Sequence, residues 1–115
     1  RGIDAQTLQV KADKVSSNYG LTVSAGKSQV PHYVSPEDPL VATLLEVYAK
    51  QTGLPAHEQS IGGGTYGRIF ERGVAYGALF PDSIDTMHQA NEFFALDDLF
   101  RSAAIYAEAI YELIK

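Results

Sequence analysis

Asp97-Asp-Leu-Phe-Arg-Ser-Ala-Ala-Ile-Tyr-Ala-Glu-Ala-Ile-Tyr-Glu-Leu-Ile114 decides the reading of the fold. Leu99, Phe100, Ala103, Ala104, Ala107, Ile110, Tyr111 and Ile114 recur at the spacing of one helix face. Asp97 and Asp98 fall in the first turn, where the macrodipole favours anions. A second helix is predicted upstream. Asp38 suits its N-cap, and Pro39 its first position, where a missing N–H costs nothing. Leu40, Val41, Leu44, Leu45 and Tyr48 form its apolar stripe, Gly53 ends it, and Pro55 prevents continuation.

Working outward, Ala5, Leu8, Ala12, Val15 and Tyr19 give a third amphipathic helix, capped by Asp4 and closed by Gly20. Leu21, Val23 and Ala25 alternate with polar residues and read as a half-buried strand. Residues 30–34 and 57–61 read as further extended pieces, the first confined to an edge by Pro31. Ile69 to Arg72 reads as a helical turn closed by Gly73. Val74 to Phe80 is nearly continuous in apolar residues and reads as a buried strand. The expected class is therefore α/β, a partial layered sheet with two long amphipathic helices. With so few strands, some apolar surface should want a partner. The break near Ser35 is the expected domain boundary, giving residues 1–34 and 35–115.

The chain has 115 residues, 45% apolar and 20% charged, which is enough for one globular domain. Its formal net charge of −5 argues against a nucleic-acid partner. It has no cysteine, so disulfide scaffolds, thiol catalysis and Cys-type zinc sites are excluded. That composition also fits a reducing cytosol. No apolar run is long enough to span a bilayer, so no membrane partner is expected. The first residue is Arg1, not Met, which suggests a piece of something longer.

Two loops can carry chemistry. Gly62-x-Gly64-x-x-Gly67 matches the dinucleotide fingerprint in letters. The segment before it is polar and short, and too little chain follows to build a Rossmann unit. A different role survives. Consecutive glycines let backbone N–H groups approach an anion, a helix start beyond them adds dipole, and Arg68 offers a planar fork for a carboxylate. The loop Gly63, Gly64, Thr65 and Arg68 is a candidate carboxylate cradle; the plain alternative is a tight turn with a surface arginine. The second loop carries His88, with Asn91 and Glu92 nearby. A neutral imidazole is the commonest metal ligand, and neighbouring polar groups can orient it. A catalytic zinc needs three protein ligands, of which one histidine supplies one, so from its residues alone His88 reads first as a plain loop histidine. His32 and His57 show no ligand pairing and read as structural or exposed. Tyr66, Tyr76, Tyr106 and Tyr111 read as packing residues.

Ile61-Gly-Gly-Gly-Thr-Tyr-Gly-Arg68, Gly73-Val-Ala-Tyr-Gly-Ala-Leu-Phe-Pro81, His88-Gln-Ala-Asn-Glu92, Asp97-Asp-Leu99 and Ile105-Tyr-Ala-Glu-Ala-Ile-Tyr-Glu-Leu113 occur in that order. With Pro31-His-Tyr-Val34 and Leu44-Leu-Glu-Val-Tyr48, this set resembles the C-terminal end of bacterial PepV-type dipeptidases. These belong to the carnosinase and succinyl-diaminopimelate desuccinylase superfamily of dinuclear zinc hydrolases. The resemblance implies that residues 1–34 close a lid domain and 35–115 are the returning C-terminal part of a catalytic domain. It implies that His88 is a zinc ligand and that Gly63, Gly64, Thr65 and Arg68 face the substrate carboxylate. It implies two zinc ions in the intact enzyme and a dipeptide substrate; a cytoplasmic location is expected only as far as the cysteine-free composition fits it. The remaining ligands and the general base would lie in an N-terminal half outside this sequence. No catalytic residue is therefore expected here, and the chain alone should be inactive. The missing half would be its partner, or a second copy of the chain. The rival reading is a non-enzymatic binding or dimerisation module with an anion-holding glycine loop.

Overall fold

The computed structural model describes residues 3–77 and 79–115. The chain divides into two compact units, residues 1–33 and 34–115. The first carries helix α1, Ala5–Ser17. The second carries α2, Pro39–Thr52, a 3₁₀ turn at Tyr66–Ile69, and α3, Leu96–Ile114.

The helix ends follow local chemistry. The Asp4 side chain accepts from the Thr7 N–H at 2.7 Å and from its hydroxyl at 3.1 Å. Those donors hold the Asp4 carboxyl below the usual carboxylate range, the Thr7 N–H contributing most. Gly20 takes φ +66°, and the N–H groups of Leu21 and Gly20 return to the carbonyls of Ser16 and Ser17. That bond pair is the glycine-closed helix end the sequence predicts. Gln9 ties the following segment back to α1 through the Val23 carbonyl, 3.1 Å away. No residue of α1 is buried, so its predicted stripe is present but uncovered; Leu8 and Val15 are exposed.

In the second unit, Asp38 caps α2 through the Leu40 N–H at 2.9 Å, Pro39 begins it, and Gly53 ends it at φ +69°. α2 and α3 pack together around Leu44, Val47, Phe80, Ile105 and Ala109. Glu108 on α3 pairs with Lys50 and accepts from Gln51, both on α2. The Lys50 ammonium, with the Gln51 amide, holds the Glu108 carboxyl below its ordinary value.

Three expectations are corrected. First, among the described residues there is no strand, so the predicted sheet is not formed. A strand exists only through ladder bonds to a neighbour, and the described residues of segments 21–25, 30–34, 57–61 and 74–80 find none; Ala78, in the last predicted strand, lies outside the described residues. The last of these is also not buried on both sides. Val74, Tyr76 and Phe80 turn towards the helices, while Ala75, Gly77 and Leu79 are exposed. In place of a ladder, the Tyr106 hydroxyl donates to the Tyr76 carbonyl at 2.8 Å. Second, α3 packs through Asp98, Ser102, Ile105 and Ala109, not through its broad apolar stripe. Leu99, Phe100, Ile110, Tyr111 and Ile114 are all exposed. Small residues in the seam let the helices approach closely. Periodicity found the stripe but carries no information about what lies against it. Third, only Tyr76 and Tyr106 pack as predicted, ring centroids 5.7 Å apart; Tyr66 and Tyr111 are exposed.

The Tyr76 hydroxyl donates to the Leu44 carbonyl at 2.7 Å. Burial pushes its pKa up to about 12, with lesser help from Tyr106, Tyr48 and Glu108. The folded state therefore favours the neutral phenol. Its contribution is intact below the ordinary tyrosine pKa of about 10 and is lost as pH rises towards the folded value. Tyr76→Phe should cost about 0.5–1.5 kcal/mol at neutral pH. Urea midpoints measured from neutral pH upward should show the gap between wild type and variant narrowing above about pH 10. A gap constant with pH would refute the assignment.

Candidate functional site

The glycine loop begins in open space, since a Cβ at Gly62 or Gly63 would meet nothing within 4 Å. Gly64 differs. A Cβ there would lie 2.1 Å from Arg68 Nη1, because the guanidinium folds back over the glycine. Thr65, with φ −110° and ψ 170°, leads into the 3₁₀ turn, and its carbonyl accepts from the Arg68 N–H at 3.3 Å. The structure thus brings Gly64 and Arg68 together. The helical turn predicted at 69–72 instead lies at 66–69 and is 3₁₀. Four residues sum too few peptide dipoles to add much field, so the predicted helix-dipole share of the anion cradle is withdrawn. What remains is exposed backbone and a guanidinium fork.

The far end of this loop is close-packed. A Cβ on Gly73 would lie 2.5 Å from the Gly67 carbonyl oxygen, and one on Gly67 would lie 3.1 Å from the Val74 backbone. Arg72 then anchors the segment to α2 by two parallel bonds to Asp38, at 2.8 and 3.0 Å. That fork, aided by the Leu40 N–H, holds the Asp38 carboxyl below the usual range.

The second loop, residues 81–95, carries His88. Its lower part is closed by Thr86, whose hydroxyl accepts from the Phe93 N–H at 3.1 Å and donates to the Phe93 carbonyl at 3.2 Å. Asp85 accepts from the Met87 N–H at 2.9 Å. At the tip, the His88 N–H donates to Glu92 Oε2 at 3.3 Å. Glu92 therefore steadies the backbone of His88. His88 and Asn91 both lie in the left-handed region, at φ +62° and +61°. His88 is exposed, as are Asn91 and Glu92. An open cavity of about 670 Å³ lies beside this loop, lined by Leu79, Ile84, Met87, Phe93, Phe94 and Asp98 among others.

Among the described residues no three His, Cys, Asp or Glu side chains converge as a metal site. His88 fits a metal as one donor of several. Its ring is exposed and its backbone is pinned in a sparsely populated conformation, a combination that concentrates at ligand-binding sites. Sequence reasoning missed the groups beneath the loop. Asp98, read only as a helix-start anion, is buried and accepts from Ser83 at 2.6 Å and from Arg101 at 3.0 Å. The available signal was Arg101 three residues after Asp98, at ion-pairing distance on a helix.

Residues 5–112 match the model of peptidase family M20/M25/M40, and the chain belongs to that family. It is 55% identical, over its whole length, to the Beta-Ala-Xaa dipeptidase of Lactobacillus delbrueckii subsp. lactis. A Staphylococcus haemolyticus protein that carries a dipeptidase name is 48% identical over 93% of the chain. A Staphylococcus saprophyticus protein of similar name is 46% identical over 82% of it. The chain spans only 24%, 22% and 20% of these relatives, so the match covers a fragment of a dipeptidase. No helix among the described residues is long and apolar enough to cross a membrane.

The two packed glycines should respond differently to substitution. Gly64→Ala meets only the end of a flexible side chain. It should leave the thermal midpoint nearly unchanged while displacing Arg68, visible as a shift of the Arg68 Nε–H NMR signal. Gly73→Ala meets backbone and should lower the midpoint by several degrees, the effect of about 1–3 kcal/mol of overpacking. Equal thermal losses in the two variants would contradict this division of roles.

Proposed function

We propose that this chain is the C-terminal part of a zinc-dependent dipeptidase, with residues 1–34 closing a lid domain and 35–115 returning to the catalytic domain. The observation that carries the reading is the 55% identity to a dipeptidase along the entire chain. The substrate class is a dipeptide with a free carboxylate, β-alanyl dipeptides among them by that relative's name.

In this reading His88 supplies one zinc ligand, and Glu92 fixes the backbone that presents it. Asn91 helps to turn the chain beside it. Two bound zinc ions would supply the Lewis acid that lowers the pKa of water and polarises the peptide carbonyl. Arg68, with the backbone of Gly63 to Thr65, would bind the substrate carboxylate by charge-assisted hydrogen bonds. Holding that end fixed converts binding energy into orientation at the scissile bond. The general base and the other ligands come from the rest of the protein, so the isolated chain is inactive. The broad exposed face of α3 supports the same reading, because a helix apolar on that side needs a covering layer. The missing part of the catalytic domain supplies it; alone, the chain would pair with a second copy. The lack of cysteine is consistent with a cytoplasmic location.

His88→Ala in the full-length enzyme tests this. Loss of an outer-shell partner costs roughly 10–100-fold in activity or metal affinity, so losing the ligand itself should cost more than about 100-fold. Zinc content should fall below two ions per chain. Near-normal turnover with two bound zinc ions would overturn the assignment.

A further inference from the structure

We infer that Asp98 is a positioning residue that acts through Ser83 to hold the His88 loop in place, an inference that rests on the reading of His88 as a metal ligand. The loop leaves the core at Phe80, which is 4% exposed, and returns to α3 at Leu96. Asp98, 9% exposed, lies in the first turn of α3. Its Oδ2 accepts from Ser83 Oγ at 2.6 Å, and the same hydroxyl oxygen accepts from the Phe80 N–H at 3.1 Å. The departing end of the loop is thereby fastened to the helix turn at which the other end arrives. Arg101 completes the fastening. Its Nη1 donates to Asp98 Oδ1 at 3.0 Å and to Asp82 at 3.2 Å, and its guanidinium carbon sits 3.9 Å from the Phe80 ring centroid.

Above this base, the paired Thr86–Phe93 bonds form a second rung, and the His88–Glu92 bond a third. Each rung narrows the positions open to the next. With no strand ladder among the described residues to fix the loop, these side chains set where the imidazole stands. A charged acceptor suits the base, since hydrogen bonds to ionised groups are roughly twice as strong as neutral ones. A slack base would let the ring miss the metal by the fraction of an ångström that coordination does not tolerate.

The test uses the full-length protein stripped of metal and titrated with Co(II), whose visible spectrum reports coordination. Ser83→Ala and Asp98→Asn should weaken the His88-dependent site about 10–100-fold and alter its spectrum, with the far-UV CD unchanged. Ser83→Thr keeps the hydroxyl and should restore binding to within a few-fold of wild type. Wild-type affinity and spectrum in both disrupting variants, with only the thermal midpoint lowered, would overturn the inference. If Asp98→Asn fails to fold, Ser83→Ala decides alone, because it removes no charge; its own failure to fold would make the hydroxyl structural and also overturn the inference. His88→Ala separates the two claims. If it leaves Co(II) binding intact, the ligand reading fails. If it abolishes one site while the Ser83 and Asp98 variants bind normally, only the positioning role fails.

Discussion

The burial of one ring, Phe80, joins the parts of the second unit. On one side it stacks with Tyr48 of α2, centroids 6.5 Å apart and 14° from parallel. On another it lies under the Arg101 guanidinium of α3. Its own backbone N–H is held by Ser83. A single residue therefore touches both helices and fixes the origin of the loop that bears His88. A cation over an aromatic face gains most where water is excluded, and Phe80 is among the least exposed residues of the core. The helix pair and the site loop are in this sense one mechanical object.

That object has a small interior. Among the described residues six apolar ones are buried, all in this unit, while large apolar side chains stand exposed along α3 and both loops. Scattered exposed leucines are normal, but a whole helix face is not. α3 shows the asymmetry within one element. Its narrow seam of Asp98, Ser102, Ile105 and Ala109 meets α2, and its wide face of Leu99, Phe100, Ile110, Tyr111 and Ile114 meets nothing described. A helix apolar on two sides suits the middle of a layered domain. The chain spans 24% of the length of the dipeptidase relative it matches, and the proposed function takes this wide face as one that the rest of such a longer protein covers.

The same contrast between local and distant contacts explains what could be read from sequence. The capping residues Asp4 and Asp38, the entry of Pro39, and the glycine exits at Gly20 and Gly53 all appear where the pattern puts them. Each is satisfied within a few residues, so no distant neighbour is needed to realise it. The strands depend on partners far away in sequence, and among the described residues they do not form. Periodicity marked the face of α3 that is hydrophobic, not the face that packs first. In the glycine loop, Gly64 and Arg68, grouped by their spacing, lie side by side, whereas the contacts of Asp98 are hidden behind an adequate local explanation. An acid in a first helical turn already has a reason to be there. Only burial and the hydroxyl of Ser83 reveal a second one.

The conformation of His88 adds a constraint of its own. A non-glycine residue in the left-handed region costs on the order of 1–2 kcal/mol, and this loop holds two within four positions, His88 and Asn91. Asparagine tolerates that region comparatively well, so position 91 is the natural pivot. Histidine is likewise enriched there among non-glycine residues, though glycine at 88 would relieve the backbone more fully. Glycine, however, carries no donor to a metal. Retaining an imidazole in such a backbone makes sense where the side chain matters more than local stability. It also explains the density of hydrogen bonds around it. A loop that stores strain relaxes unless its neighbours forbid the alternatives, and the Glu92, Thr86 and Ser83 bonds do so at successive levels from tip to base. The strained backbone and its supports are thus two sides of one arrangement, in which hydrogen bonds are concentrated around the residue that the proposed function makes a metal ligand.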